Sequence, residues 1–202
     1  KFAHNKSKQI NELKDYIITN ASSVSKSIDD SSGQNIAFNF KNELAYNDLN
    51  SFIRPSNGNY IGFSNFVQTP SSSNNEFIKN ILILKKYLES NSNVYSIQTK
   101  IGNVSSLSNI EILSDNKFSL GGRWLRGFDN FGAGPRNSRT NYVGGNNLIV
   151  TKFDFSRPLT LNDQNPIYLN IFNDYGLIWG NKDNISFSDN QIRASYGFGL
   201  NF

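Results

Sequence analysis

From residue 192 to residue 202 every second side chain is apolar: Ile192, Ala194, Tyr196, Phe198, Leu200 and Phe202 alternate with Arg193, Ser195, Gly197, Gly199 and Asn201. A period of two places the first set on one face of an extended strand and the second set, polar or very small, on the other. A tilted strand crosses a bilayer with about 9–11 residues, so this segment is long enough to span one. The glycines lie on the face where other protein can approach closely.

The same alternation recurs upstream. At 166–174, Ile167, Leu169 and Ile171 oppose Tyr168, Asn170, Phe172 and Asp174; at 148–157, Ile149, Thr151, Phe153 and Phe155 oppose Val150, Lys152, Asp154 and Ser156. Asp154, Phe172 and Asp174 therefore share the face turned away from the apolar stripe. Farther up, Ile36, Phe38, Phe40, Leu44 and Tyr46 oppose Ala37, Asn39, Lys41, Glu43 and Ala45, and Tyr95, Ile97, Thr99 and Ile101 oppose Ser96, Gln98 and Lys100. Segments 9–19, 59–68 and 76–88 are weaker. The last of these suits an amphipathic helix as well as a strand, and its neighbours decide for a strand.

Connectors at 29–34, 55–59, 70–75 and 181–190 are rich in Ser, Asn and Gly and read as turns or surface loops. The exception is 103–147, too long for a connector in a regular meander and studded with Gly, Arg and aromatic residues. It is expected to be an ordered, functional loop.

No run reaches the roughly 18 apolar residues of a membrane-spanning helix. A β-barrel stays open, because alternating strands keep mean hydropathy low. The chain starts at Lys1, holds no Met and shows no signal peptide, so a piece of a longer chain is expected. Its formal charge of +4 comes from Lys and Arg scattered singly, which is not the footprint of a nucleic-acid binder. Without cysteine there is neither a disulfide framework nor a thiolate metal site. One histidine, His4, in a poorly patterned terminus, and no Gly-x-Ser-x-Gly elbow leave no catalytic residue, metal or cofactor to expect.

Inside the long loop stands Phe118-Ser-Leu-Gly-Gly-Arg-Trp-Leu-Arg-Gly-Phe128, then Gly132-Ala-Gly-Pro-Arg136, then Gly144-Gly-Asn146. This order resembles the BamA family of outer-membrane assembly factors, in the POTRA-barrel superfamily. In that family a Gly-Gly pair, here Gly121 and Gly122, precedes a Val-Arg-Gly-Phe/Tyr tetrad at the tip of a loop folded back into the barrel. The tetrad here is Leu125, Arg126, Gly127 and Phe128, with Leu in place of Val. Gly134, Pro135 and Arg136 match the family's Gly-Pro-Arg, and Gly144, Gly145 and Asn146 match the Gly-Gly-Asn that opens the next strand. Downstream, Phe153-Asp-Phe-Ser-Arg-Pro158 is similar to its Glu-Phe-x-x-Pro segment, with Asp154 for Glu, and Phe172-Asn-Asp-Tyr-Gly176 with Trp179 is similar to Phe-x-Asp-x-Gly. The likeness is specific over 115–202, looser over 35–115, where Pro55 and Gly58 are in place, and thin before that.

The resemblance implies an all-β, antiparallel, up-and-down transmembrane barrel, present here in part as about eight of the family's sixteen strands, with one inward-folded loop. Residues 1–202 would be a single partial barrel domain, lacking the first strands, the last two strands and the preceding POTRA domains. Taken alone it would leave two open sheet edges. Arg126 would meet the carboxylates of Asp154 and Asp174 and stack near Phe172, an arrangement that suits a planar fork of donors. Without Arg126 the two aspartates are ordinary hydrated lumen residues or a glycosidase-like pair. Trp124, Trp179 and Tyr175 would be loop-packing or interface aromatics.

The implied function is folding and insertion of β-barrel proteins in the bacterial outer membrane. Its partners would be the lipid bilayer, nascent barrel proteins and assembly-complex lipoproteins. A TamA-type relative or two-partner secretion transporter shares the Arg-Gly-Phe/Tyr loop, and a porin-like channel or a soluble carbohydrate-binding sandwich are readings from other classes. Gly134-Pro135-Arg136 and Gly144-Gly145-Asn146 favour BamA.

Overall fold

A computed structural model describes residues 16–29, 33–70, 76–108, 110–136, 142–160, 166–180 and 192–201. Among the described residues eight strands follow one another: β1 (Tyr16–Asp29), β2 (Gly33–Asn47), β3 (Gly58–Pro70), β4 (Phe77–Ser90), β5 (Asn93–Ser106), β6 (Asn147–Pro158), β7 (Tyr168–Trp179) and β8 (Arg193–Asn201). Each pairs antiparallel with the next, giving one sheet in chain order, as an up-and-down barrel requires.

At two places the boundaries differ markedly from the sequence reading. Of the segment expected at 9–19, only 16–19 is described, and it opens β1, which runs on to Asp29. The Asn-Ala-Ser-Ser-Val-Ser-Lys-Ser stretch from Asn20 has no apolar alternation, so its strand is set by pairing with β2 along its whole length rather than by its own pattern. Segment 76–88 is the strand that its neighbours led one to expect; β4 carries Ile78, Leu82 and Leu84 on one face and pairs on both sides. β5 continues to Ser106, so the loop spans 107–146 and not 103–147. The connectors at 71–75 and 181–190 and the terminus with His4 lie outside the described residues.

The β4–β5 hairpin is closed by Asn91 and Ser92, both with positive φ (50° and 64°). Two left-handed residues in a two-residue loop give a turn whose twist matches that of the strands.

Exposure follows the alternation. On β6, Ile149 and Phe153 are 42% and 44% exposed while Leu148 and Val150, on either side of Ile149, are buried. The outward apolar side chains, among them Ile97, Ile101, Ile171, Tyr196 and Phe198, form the surface a bilayer would cover. The inward face is unusual for a barrel wall, because part of it is apolar. Phe77, Val104, Leu148, Val150 and Ile178 from β4 to β7 pack against Ile112, Phe118, Leu120, Leu125 and Ala133 of the long loop. The core of the molecule therefore lies between the sheet and its own loop. Each of these Val, Leu, Ile and Phe side chains contributes about 1.5–3 kcal/mol when fully buried.

Two inward glycines let the loop sit this close. A Cβ on Gly102 would lie 2.6 Å from the Phe118 ring, and one on Gly176 would lie 2.8 Å from the Leu120 side chain. Of the inward glycines on β8, Gly197 lies under the Phe172 ring, whereas nothing comes within 4 Å of a Cβ at Gly199. The close approach expected there holds at one position and not the other.

Candidate functional site

Cross-strand register assembles the wall on which the loop rests. Tyr60, Lys85, Gln98, Lys152, Asp174 and Ser195 stand side by side on β3 to β8. The adjacent inward row runs Tyr87, Ser96, Asp154, Phe172 and Gly197 on β4 to β8. Asp154 and Phe172 are direct partners, and Asp174 stands two residues along β7 from Phe172.

The loop brings Arg126 onto this wall. Leu125 to Phe128 form a turn closed by the Phe128 N–H donating to the Leu125 carbonyl at 3.3 Å. Gly127 occupies the third position with φ +83°, a value that a type II turn requires there and that side-chain-bearing residues rarely adopt. Leu125 is fully buried in the core, so the tetrad is held from one side by an apolar anchor. The next residue points the other way.

Arg126 donates twice from its side chain to Asp174, from Nε to Oδ2 at 2.8 Å and from Nη2 to Oδ1. Its backbone N–H also donates to Asp174 Oδ2, at 3.0 Å. Nη1 donates to Asp154 Oδ1, and the guanidinium lies 3.9 Å from the centre of the Phe172 ring. Asp174 is wholly buried, so both its oxygens are satisfied by this one residue. Burial works against the charge on Arg126, but the hydrogen bonds and charges of Asp174 and Asp154 outweigh it and hold the guanidinium pKa above its ordinary value.

The Phe172 ring in turn lies over Gly197. A Cβ there would come within 2.6 Å of the ring, so β8 must be bare at this point for the ring to take its place beneath the guanidinium.

The remaining motif residues shape the loop. Gly121 has φ +140°, and a Cβ there would run into the Asp129 carbonyl oxygen; Gly122 donates to the Phe128 carbonyl at 2.9 Å. Gly134 lies against Ile178, the Pro135 carbonyl accepts from Val143 at 3.0 Å, and Arg136 stacks on Tyr142. Gly144 has φ +76°, Gly145 pairs with Phe118 through two backbone hydrogen bonds, and Asn146 exchanges hydrogen bonds with Val104 at the end of β5.

The family model described as the Omp85 superfamily domain matches residues 1–202. The chain belongs to the Omp85 superfamily. The crystal structure of BamA from Haemophilus ducreyi lacking POTRA domains 1–3 has the same fold, with a TM-score of 0.72 and 21% sequence identity over 86% of this chain. The chain spans 38% of the length of that structure. No curated protein matches it by sequence.

Within this Omp85 barrel sheet, several wall residues that hold the loop escaped the motif reading. Lys152 donates to the Arg123 carbonyl at 2.8 Å, Lys79 donates to the Asn116 carbonyl at 3.0 Å and stands over the Phe118 ring, and Lys100 stands over Trp124. All three are inward lysines that clamp loop carbonyls or aromatic faces. The signal was present as inward Lys in successive strands, but the same pattern fits lysines facing water in a lumen. Trp124 is loop packing; Tyr175 lies on the outward face against Phe153.

Beyond Arg126 a cavity of about 880 Å³ extends along the wall, lined by Tyr87, Gln98, Asp154, Ser156, Tyr168 and Asn170 among others. The turn between β2 and β3 reaches across its far end, where Arg54 stacks on Tyr168 with 4.4 Å from guanidinium carbon to ring centre. This turn is fixed by Asn50 Oδ1, which accepts from Ser56 at 3.0 Å and Asn57 at 3.1 Å, and by the positive φ of Gly58.

Proposed function

We propose that this chain is the loop-bearing part of an outer-membrane protein assembly factor, one that folds and inserts β-barrel proteins into the bacterial outer membrane. Its partners in that role are the lipid bilayer, nascent barrel strands and assembly-complex lipoproteins. No covalent step is involved, and no residue is assigned to catalysis. Incoming strands would pair with an exposed sheet edge elsewhere in the whole barrel, the β-augmentation mode of recognition.

The observation that carries this reading is the gathering of Asp154, Asp174 and Phe172 around Arg126. A loop tied to the wall by a buried, charge-assisted cluster has one position rather than many, and it keeps the lumen filled while the rest of the barrel works. Leu125, Arg126, Gly127 and Phe128 form the loop lock, and Asp154, Phe172 and Asp174 are its seat.

Removing one member of such a cluster strands the others and costs on the order of 3–5 kcal/mol. Arg126→Ala in the full-length protein is therefore expected to lower the fraction that keeps a folded, heat-modifiable mobility on gels, and to reduce complementation of a strain depleted of its assembly factor. Unchanged mobility and full complementation would remove the role assigned to the cluster. Arg126→Lys keeps the charge but not the two-pronged geometry, and should fall between parent and Ala.

A further inference from the structure

The outward face carries a row of asparagines at one register level. Asn42 on β2 is the direct partner of Asn65 on β3, Asn65 of Asn80 on β4, Asn80 of Asn103 on β5, and Asn103 of Asn147 on β6. On β1 the residue paired with Asn42 is Asn20. Two rungs are closed by side-chain hydrogen bonds of 2.7 Å, from Asn65 Nδ2 to Asn80 Oδ1 and from Asn103 Nδ2 to Asn147 Oδ1. Apolar residues flank the row along the strands: Phe40 and Leu44 beside Asn42, Phe63 and Val67 beside Asn65, Ile78 and Leu82 beside Asn80, and Ile101 and Ile149 beside Asn103 and Asn147. Because barrel strands are tilted, such a row climbs obliquely across the lipid-facing surface.

Amides are an expensive choice for a surface that a bilayer covers, since hydrocarbon offers them no partner. What they supply is discrimination. Sliding one strand by two residues past its neighbour leaves every side chain on its proper face, so apolar alternation does not distinguish the native register from that slip. Lipid is equally indifferent to which apolar residue opposes which. The amides are not indifferent, because a two-residue slip of β4 against β3 would set Asn65 against Ile78 or Leu82 and leave both amides without a partner.

We propose that the asparagine row is a register key for β2 to β6, selecting the native strand pairing while this part of the barrel forms in the membrane. A single buried Asn acts on the same principle in coiled coils, where it gives up stability and fixes register. The proposal rests on the fold alone and stands or falls independently of the role of Arg126.

The test is disulfide trapping in the full-length protein refolded into phospholipid vesicles. A cysteine pair at direct partners, Phe63→Cys with Leu82→Cys, reports the native register, and Phe63→Cys with Leu84→Cys reports the two-residue slip. With the row intact only the native pair should cross-link. In an Asn65→Leu/Asn80→Leu background the slipped pair is expected to cross-link at the expense of the native one. If that background traps the native pair alone, as completely as the parent, the key is overturned. Should the Leu pair fail to fold, Asn65→Ser/Asn80→Ser keeps two hydrogen-bonding groups at the same level and must restore native trapping; failure to restore it likewise overturns the proposal.

Discussion

On the inner face of the sheet one residue, Arg126, makes four donor contacts to two carboxylates, three from its guanidinium and one from its backbone N–H, and lays the guanidinium on a ring face; a fully buried Asp174 depends on it alone. On the outer face polar contacts are spread thinly, as single cross-strand hydrogen bonds at separate rungs: Asn65 to Asn80, Asn103 to Asn147, and Thr99 to Thr151 at 3.1 Å. The difference follows from what each face must hold. A loop free to move in three dimensions is fixed by a few strong, directional bonds converging on one point, whereas strands already joined by their backbones need only a weak preference repeated along a line.

The inner cluster is most vulnerable at Asp174. Replacing it with Ala leaves Arg126 without its two-pronged partner and removes the acceptor of the Arg126 backbone N–H, so destabilisation of about 3–5 kcal/mol is expected. Asp154 accepts one bond and its side chain is 23% exposed, so water can replace it; Asp154→Ala should cost about 1–3 kcal/mol. Chemical unfolding of the full-length protein in detergent gives the two values, and limited proteolysis of the 107–146 loop shows where the loss is felt. An equal or larger cost at Asp154 would mean that the cluster is not centred on the buried carboxylate.

Much of this was legible in the residues, for physical reasons that also mark the limits. β6, β7 and β8 announce themselves because each has one face for lipid and one for protein, and period two alone placed Asp154, Phe172 and Asp174 on a common side. β1 did not, since its Ser-rich sequence acquires a strand only from β2. The lysine clamps and the bare positions Gly102 and Gly176 were illegible in a different sense. Alternation reports which face a residue occupies, but what comes to rest on that face is decided by a loop many residues away. The asparagine row needed the register of four strand pairs before it could be seen at all.

The packing between loop and wall gives the next effect. Gly102 lies under the Phe118 ring, so Gly102→Val would push that ring out of the core and cost about 1–3 kcal/mol by overpacking. Intrinsic fluorescence of Trp124, which packs on the same core, should report the displacement. Gly127→Ala is milder and works differently. The space beside Gly127 is open, its nearest neighbour being Ser195 Cβ at 3.9 Å, so the cost is backbone strain at φ +83°, roughly 1 kcal/mol. A loss much larger than that would show that the tip is held more rigidly than its contacts suggest.

The smallest effect belongs to the outer face and sharpens the contrast from the other side. Thr99 and Thr151 are direct partners on β5 and β6, and their hydroxyls share one hydrogen bond. Side-chain hydrogen bonds in membrane proteins average about 0.6 kcal/mol, because an unfolded chain in lipid also finds partners. Thr99→Val should therefore lower stability by about that amount. Thr99→Val/Thr151→Val should cost no more than the single change, since replacing both partners removes the need for the bond as well as the bond. A double variant several-fold less stable than the single would show that the outer face, too, concentrates its stability in individual polar contacts, and the division of labour between the two faces would fail.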